Sequence, residues 1–131
     1  MVTYGPRASS GMLNLDTHIL IHSLAGELRH EERELLEENP WSISAIVLWE
    51  LAKLSELGRI TLDIHSPAFA GALSRIRIWP LDLAVARAIK QLDFRGDPAD
   101  EIIAATSLVH NVPLLTRDRL IKKSKLVPFA Y

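Results

Sequence analysis

Four short apolar runs, MLNLD at 12–16, WSIS at 41–44, RIWPL at 77–81 and PLLT at 113–116, alternate with segments of helical periodicity, and this alternation limits the possible folds more than any other feature. Strands separated by helices need crossover connections, which build a mainly parallel sheet in an α/β sandwich. The apolar residues after Thr17 fit a helix starting directly behind the first strand, so Asp16 falls at the carboxyl end of that strand. His30 to Asn39 reads as a charged helix that buries an edge at Leu35 and Leu36 and stops at Pro40. Ser44 caps the next helix, where Ile46, Leu48, Leu51, Leu54 and Leu57 make an apolar stripe ending at Gly58. Residues 66–75 suit a small helix with Pro67 in its first turn, and Pro80 puts the RIWPL strand near an edge or an end. Asp82 caps a helix over 83–92, Asp97-Pro98 opens another that runs to Asn111, and Leu126 to Phe129 makes a last short strand.

A chain of 131 residues with 48% hydrophobic content suits one compact domain, able to bury roughly two thirds of its unfolded surface. We assign that domain to residues 12–131 and read 1–11 as an extension outside the core or a cloning remnant, because MVTYGPRASSG lacks the apolar centre of a secretory signal. No apolar stretch approaches the ~20 residues of a membrane helix. The net charge of -1 excludes the strongly basic footprint of many nucleic-acid binders, while leaving room for a local basic patch. The absence of cysteine excludes disulfides, thiolate metal sites and a cysteine nucleophile.

Three acids share one address in this layout, the edge where strands end and helices begin: Asp16, Asp118 behind PLLT, and Asp100 in the first turn of the helix after Asp97. Glu50 is the fourth, since it interrupts the apolar AIVLWELA, where an ionised group needs a partner or water. Clustered carboxylates repel one another and call for a cation, and an all-oxygen donor set points to Mg²⁺ or Mn²⁺. Each acid also has a local explanation. Asp16 can cap the following helix, and Asp97 and Asp100 can satisfy the amides and dipole of theirs, which is the reading we prefer for Asp97. Asp118 can serve a turn or pair with Arg117 or Arg119, and Glu50 can pair with Lys53.

The segments LDTHILI (15–21), SAIVLWELAKLSELGRITL (44–62), GDPADEIIAATSL (96–108) and VPLLTRD (112–118) together resemble PIN-domain proteins, most closely the VapC-type toxins of prokaryotic toxin-antitoxin pairs. The resemblance runs from Met12 to the C-terminus in the family's order and spacing. It implies a PIN-like three-layer α/β/α sandwich and a Mg²⁺- or Mn²⁺-dependent endoribonuclease that cleaves RNA phosphodiesters by metal-activated water. Asp16 matches the family's first acid, Glu50 the second, Asp100 the third and Asp118 the fourth, all four serving as metal ligands and catalytic residues. Relatives often carry Arg after the third acid, where this chain has Glu101, which alters a substrate contact or adds an acid near the metal. The resemblance also implies a homodimer, a cognate antitoxin covering the apolar groove near helices 17–25 and 44–57, and a cytoplasmic location away from membranes. The alternative is a non-catalytic PIN-like module that binds RNA or protein.

Other polar residues carry less weight. Thr17 and Thr116 stand beside the acids, where they can orient a carboxylate or simply close a turn. His18 and His22 have metal-like spacing but no accompanying Glu of a zinc motif. Trp49 and Trp79 read as core. Arg117, Arg119, Lys122, Lys123 and Lys125 form a basic stretch that can either follow an RNA backbone or remain a solvated tail.

Overall fold

A computed structural model describes residues 11–131, so all but the last residue of the 1–11 extension lies outside the described residues. Its sheet consists of β1 (Leu13–Leu15), β2 (Trp41–Ser44), β3 (Arg77–Trp79) and β4 (Leu114–Leu115), ordered β3-β2-β1-β4, and every pairing is parallel. Around it lie α1 (Thr17–Ala25), α2 (His30–Glu38), α3 (Ala45–Glu56), α4 (Pro67–Leu73), α5 (Leu83–Ala88), α6 (Pro98–His110) and α7 (Arg119–Lys122). Leu13, Asn14 and Leu15 are all buried; since consecutive strand residues point to opposite faces, both faces of β1 are covered, which is the expected layered sandwich.

The chain builds β1, β2 and β3 outward in one direction and then returns to lay β4 on the other side of β1. That reversal splays the connections leaving β1 and β4 and opens a crevice at their carboxyl ends. Asn14 fixes α6 over this region: its Nδ2 donates to Ser107 Oγ at 2.9 Å and to the Ile103 carbonyl at 3.2 Å. The N-terminal turn of α6 is thereby set beside the end of β1.

Most element boundaries match the sequence reading, because their signals are local. Ser44 Oγ accepts from the Ile46 amide, Ser66 Oγ from Phe69, and Asp82 from Val85, each closing an otherwise unpaired helix start. Gly58 follows α3 with φ of 71°, a left-handed conformation that favours glycine.

Four details differ. Leu126–Phe129 is no strand but a single bridge from Phe129 to Leu114; Pro128, which lacks an N–H, takes the Leu114 amide on its carbonyl and cannot extend the ladder. Residues 119–122, which carried no helical expectation, form α7. The helix expected over 83–92 narrows to a 3₁₀ turn at Ile89–Gln91. On α3 the fully buried pair is Val47 and Leu51, one turn apart, with Ile46 and Leu48 flanking them. Leu57 lies outside the stripe, and Trp49, on the opposite face, is 57% exposed and is not core. Trp79 is core as expected, stacked on His110 with ring centroids 4.0 Å apart.

Candidate active site

A cleft of about 340 Å³ opens where β1 and β4 end, and Asp16, Glu50, Asp97, Asp100 and Asp118 all line it. The chain reaches it from three crossovers and from the segment that follows β4. Asp16 ends β1 and its carbonyl starts α1 by accepting from Ile19 and Leu20; Glu50 lies in the second turn of α3; Asp100 lies in the first turn of α6 and Asp118 starts α7. All four acids expected from the sequence therefore meet in one place, although they span over a hundred residues of chain.

Two threonines fix two of the carboxylates. Thr116 Oγ1 donates to Asp16 Oδ2 at 2.6 Å and accepts from the Asp118 amide at 3.0 Å, linking the first and fourth acids through one hydroxyl. Thr17 Oγ1 donates to Glu50 Oε1. Both threonines are buried, so they orient carboxylates rather than close turns at the surface.

The local explanations for the acids separate cleanly. Asp16 makes no side-chain cap bond to α1, and Glu50 is not paired with Lys53, which bonds Glu56 instead. Asp118 does cap its helix, one oxygen accepting from Leu120 and Ile121 at 2.8 and 3.1 Å, and pairs with neither neighbouring arginine. Asp97 corrects our preference: it occupies the N-cap position of α6 but makes no cap bond and lines the cleft. The Gly96 amide just ahead of it donates to Glu101 Oε2 at 2.9 Å. Glu101 thus folds back on the loop and is absent from the cleft lining.

Electrostatics set these carboxylates apart. Burial raises the pKa of Asp16, opposed by the Thr116 hydroxyl and by His18. Burial also raises Glu50, opposed by Thr17 and reinforced by the Asp16 charge. Asp100 is pushed up to about 7, by burial first and then by the charges of Asp16, Asp118, Glu50 and Asp97. The donor set, carboxylates with hydroxyls and no sulfur, suits a hard divalent cation, and this mutual repulsion is what such a cation relieves. As they stand, however, no three of the acidic or histidine side chains among the described residues converge closely enough to ligate one ion.

Three more polar residues line the cleft that sequence reasoning did not place there: His18 and His22 on α1, and Arg117. The histidine spacing carried a signal that we assigned to no site. Arg117 carried a misleading one, since its guanidinium is not part of a free basic tail: it bonds Glu32 with Nε at 2.8 Å and a terminal nitrogen at 2.7 Å.

Comparison with known proteins agrees with this architecture. Residues 14–125 match the model of the PIN domain family. The chain is 35% identical over 88 residues to Ribonuclease VapC22 of Mycobacterium tuberculosis, an alignment covering 64% of this chain and 67% of that protein. Its fold superposes on VapBC2 from Rickettsia felis, bound to a promoter DNA fragment, with a TM-score of 0.70 and 19% identity over 90% of this chain and 96% of the other. A toxin-antitoxin complex from Klebsiella pneumoniae gives a TM-score of 0.61 at 25% identity, covering 81% and 86%.

Proposed function

The chain belongs to the PIN-domain family, and from that premise we propose that it is an endoribonuclease dependent on Mg²⁺ or Mn²⁺, acting in the cytoplasm as the toxin of a toxin-antitoxin pair. The observation that carries this reading is the gathering of Asp16, Glu50, Asp100 and Asp118 in one cleft at the point where the strand order reverses, with three of their pKa values raised. The relative named Ribonuclease VapC22 and the toxin-antitoxin structures support the substrate class and the partner.

Asp16, Glu50 and Asp100 would hold the ion, with Asp118 assisting from the oxygen not engaged in its helix cap. When bound, such an ion supplies positive charge against the phosphodiester and a lowered pKa for an attacking water. The chain's own residues do the rest. Thr116 and Thr17 fix the Asp16 and Glu50 carboxylates, so little ordering remains to be done when substrate arrives. Lys122, Lys123 and Lys125, in the segment that follows Asp118, would meet the RNA backbone. A cognate antitoxin would cover apolar surface beside α1 and just beyond the end of α3, where Ile21, Leu24 and Ala25 line a groove of about 110 Å³ with Ile60 and Leu62, and the toxin would act as a homodimer.

One observation favours the second reading, a non-catalytic PIN-like module: the acids are not gathered around a single point. Sequencing RNA 5′ ends in cells expressing wild type or Asp16→Asn decides between them. The enzyme yields new ends absent with Asp16→Asn, and purified protein cuts RNA with Mg²⁺ or Mn²⁺ but not with EDTA; identical ends from both proteins overturn it.

A further inference from the structure

Arg117 is the one arginine or lysine among the described residues lining the acidic cleft, and it directly precedes Asp118. A guanidinium there is the natural competitor of a metal ion for the same carboxylates. Two of its three nitrogens are directed elsewhere. Nε and one terminal nitrogen bond the two oxygens of Glu32, and that terminal nitrogen also reaches the Glu27 carbonyl at 3.2 Å. Glu32 comes from the first turn of α2, is 1% exposed, and accepts a third bond from the Arg29 amide at 2.8 Å. A buried carboxylate outside the cleft thus occupies the fork of the cleft's own arginine.

We infer that Glu32 is a positioning residue that holds the Arg117 guanidinium away from the cleft acids and so keeps them available to a cation. The inference rests on the metal-site reading above and concerns a residue that reading does not use. Neutralising Glu32 removes the carboxylate that dominates the arginine's surroundings, ahead of Tyr131 and Glu27, and lets the guanidinium turn into the cleft it already lines, toward Asp118 and Asp16, where it takes the place of the ion.

The test is Mn²⁺ affinity by titration calorimetry on Glu32→Gln, Arg117→Gln and the double variant. Gln keeps one acceptor oxygen, enough for the Arg29 amide, while it removes the charge and the second oxygen that Arg117 Nε uses. Glu32→Gln weakens Mn²⁺ binding at least about tenfold, and adding Arg117→Gln restores it to within about twofold of wild type. A crystal structure of Glu32→Gln shows Arg117 within hydrogen-bonding distance of Asp118 or Asp16. A merely structural role for Glu32 leaves the double variant as weak as the single one, and that result, or wild-type affinity in Glu32→Gln, overturns the inference. Absence of Mn²⁺ binding by wild type overturns the metal-site reading instead and this inference with it. If Glu32→Gln does not fold, Glu32→Asp, whose charge sits one methylene farther back, gives the same order at about threefold.

Discussion

The carboxylate that clamps Arg117 and those of the cleft beside it are shifted in opposite directions, Glu32 down and Asp16, Glu50 and Asp100 up. Glu32 is 1% exposed, yet its pKa is lowered, because the Arg117 fork bonds it and outweighs burial. Asp16 and Asp100 are raised, because burial acts on them with no arginine or lysine paired to either. Burial alone therefore does not decide the charge of a carboxylate in this fold; the partner does. The clamp between α2 and the end of β4 is a finished interaction, whereas the cleft holds repulsion that a ligand can relieve.

Catalysis tests this contrast most severely. Asp16→Asn, Glu50→Gln and Asp100→Asn each lower RNA cleavage by at least about two orders of magnitude, the loss expected when charge stabilisation at the phosphate fails. A cleavage assay with Asp100→Asn at the wild-type rate would remove that residue from the site.

Stability should separate the two sets next. Arg117→Met leaves Glu32 buried without its partner and costs about 3 kcal/mol of unfolding free energy by urea denaturation. Asp100→Asn in EDTA at neutral pH melts at or above the wild-type temperature, since it removes repulsion without removing volume. Mn²⁺ raises the wild-type melting temperature and that of Asp100→Asn much less, because the ion binds only the folded site. Equal shifts would mean that Asp100 is no ligand.

The pH dependence follows from the two directions of shift. Asp100, raised from 3.8 to about 7, favours folding while protonated; its contribution is complete at low pH and is lost as pH rises through 7. Glu32, lowered from 4.5, contributes stability above that value and loses it as pH falls below. Melting scans in EDTA from acid to alkaline pH should show a wild-type maximum between these limits, with Asp100→Asn flattening the alkaline fall and Glu32→Gln the acid one. Interchanged effects would show that the charge assignments are reversed.

A smaller effect is expected from the basic stretch once Arg117 is excluded from it. Replacing Lys122, Lys123 and Lys125 by Gln weakens RNA binding and flattens its log-log salt dependence by up to about 0.7 for each phosphate that is no longer neutralised. An unchanged slope returns the three lysines to solvent.

The order of the elements and the addresses of the four acids were legible along the chain, because their signals are local. Ser44, Ser66 and Asp82 cap the turns that follow them, Gly58 stops α3, and an acid directly behind a parallel strand must stand at the sheet's carboxyl edge. Everything that depends on residues far apart in the chain was settled by packing. Asp97 has the sequence of a cap but makes no cap bond and lines the cleft, and Trp49 points outward although its hydrophobicity suggested burial. Thr116 reaches Asp16 across 100 positions, and Arg117 reaches Glu32 across 85. No periodicity encodes those pairings, because they exist only once the β1 and β4 register and the packing of α2 bring side chains within hydrogen-bonding reach, where a bond depends on position to within a fraction of an ångström.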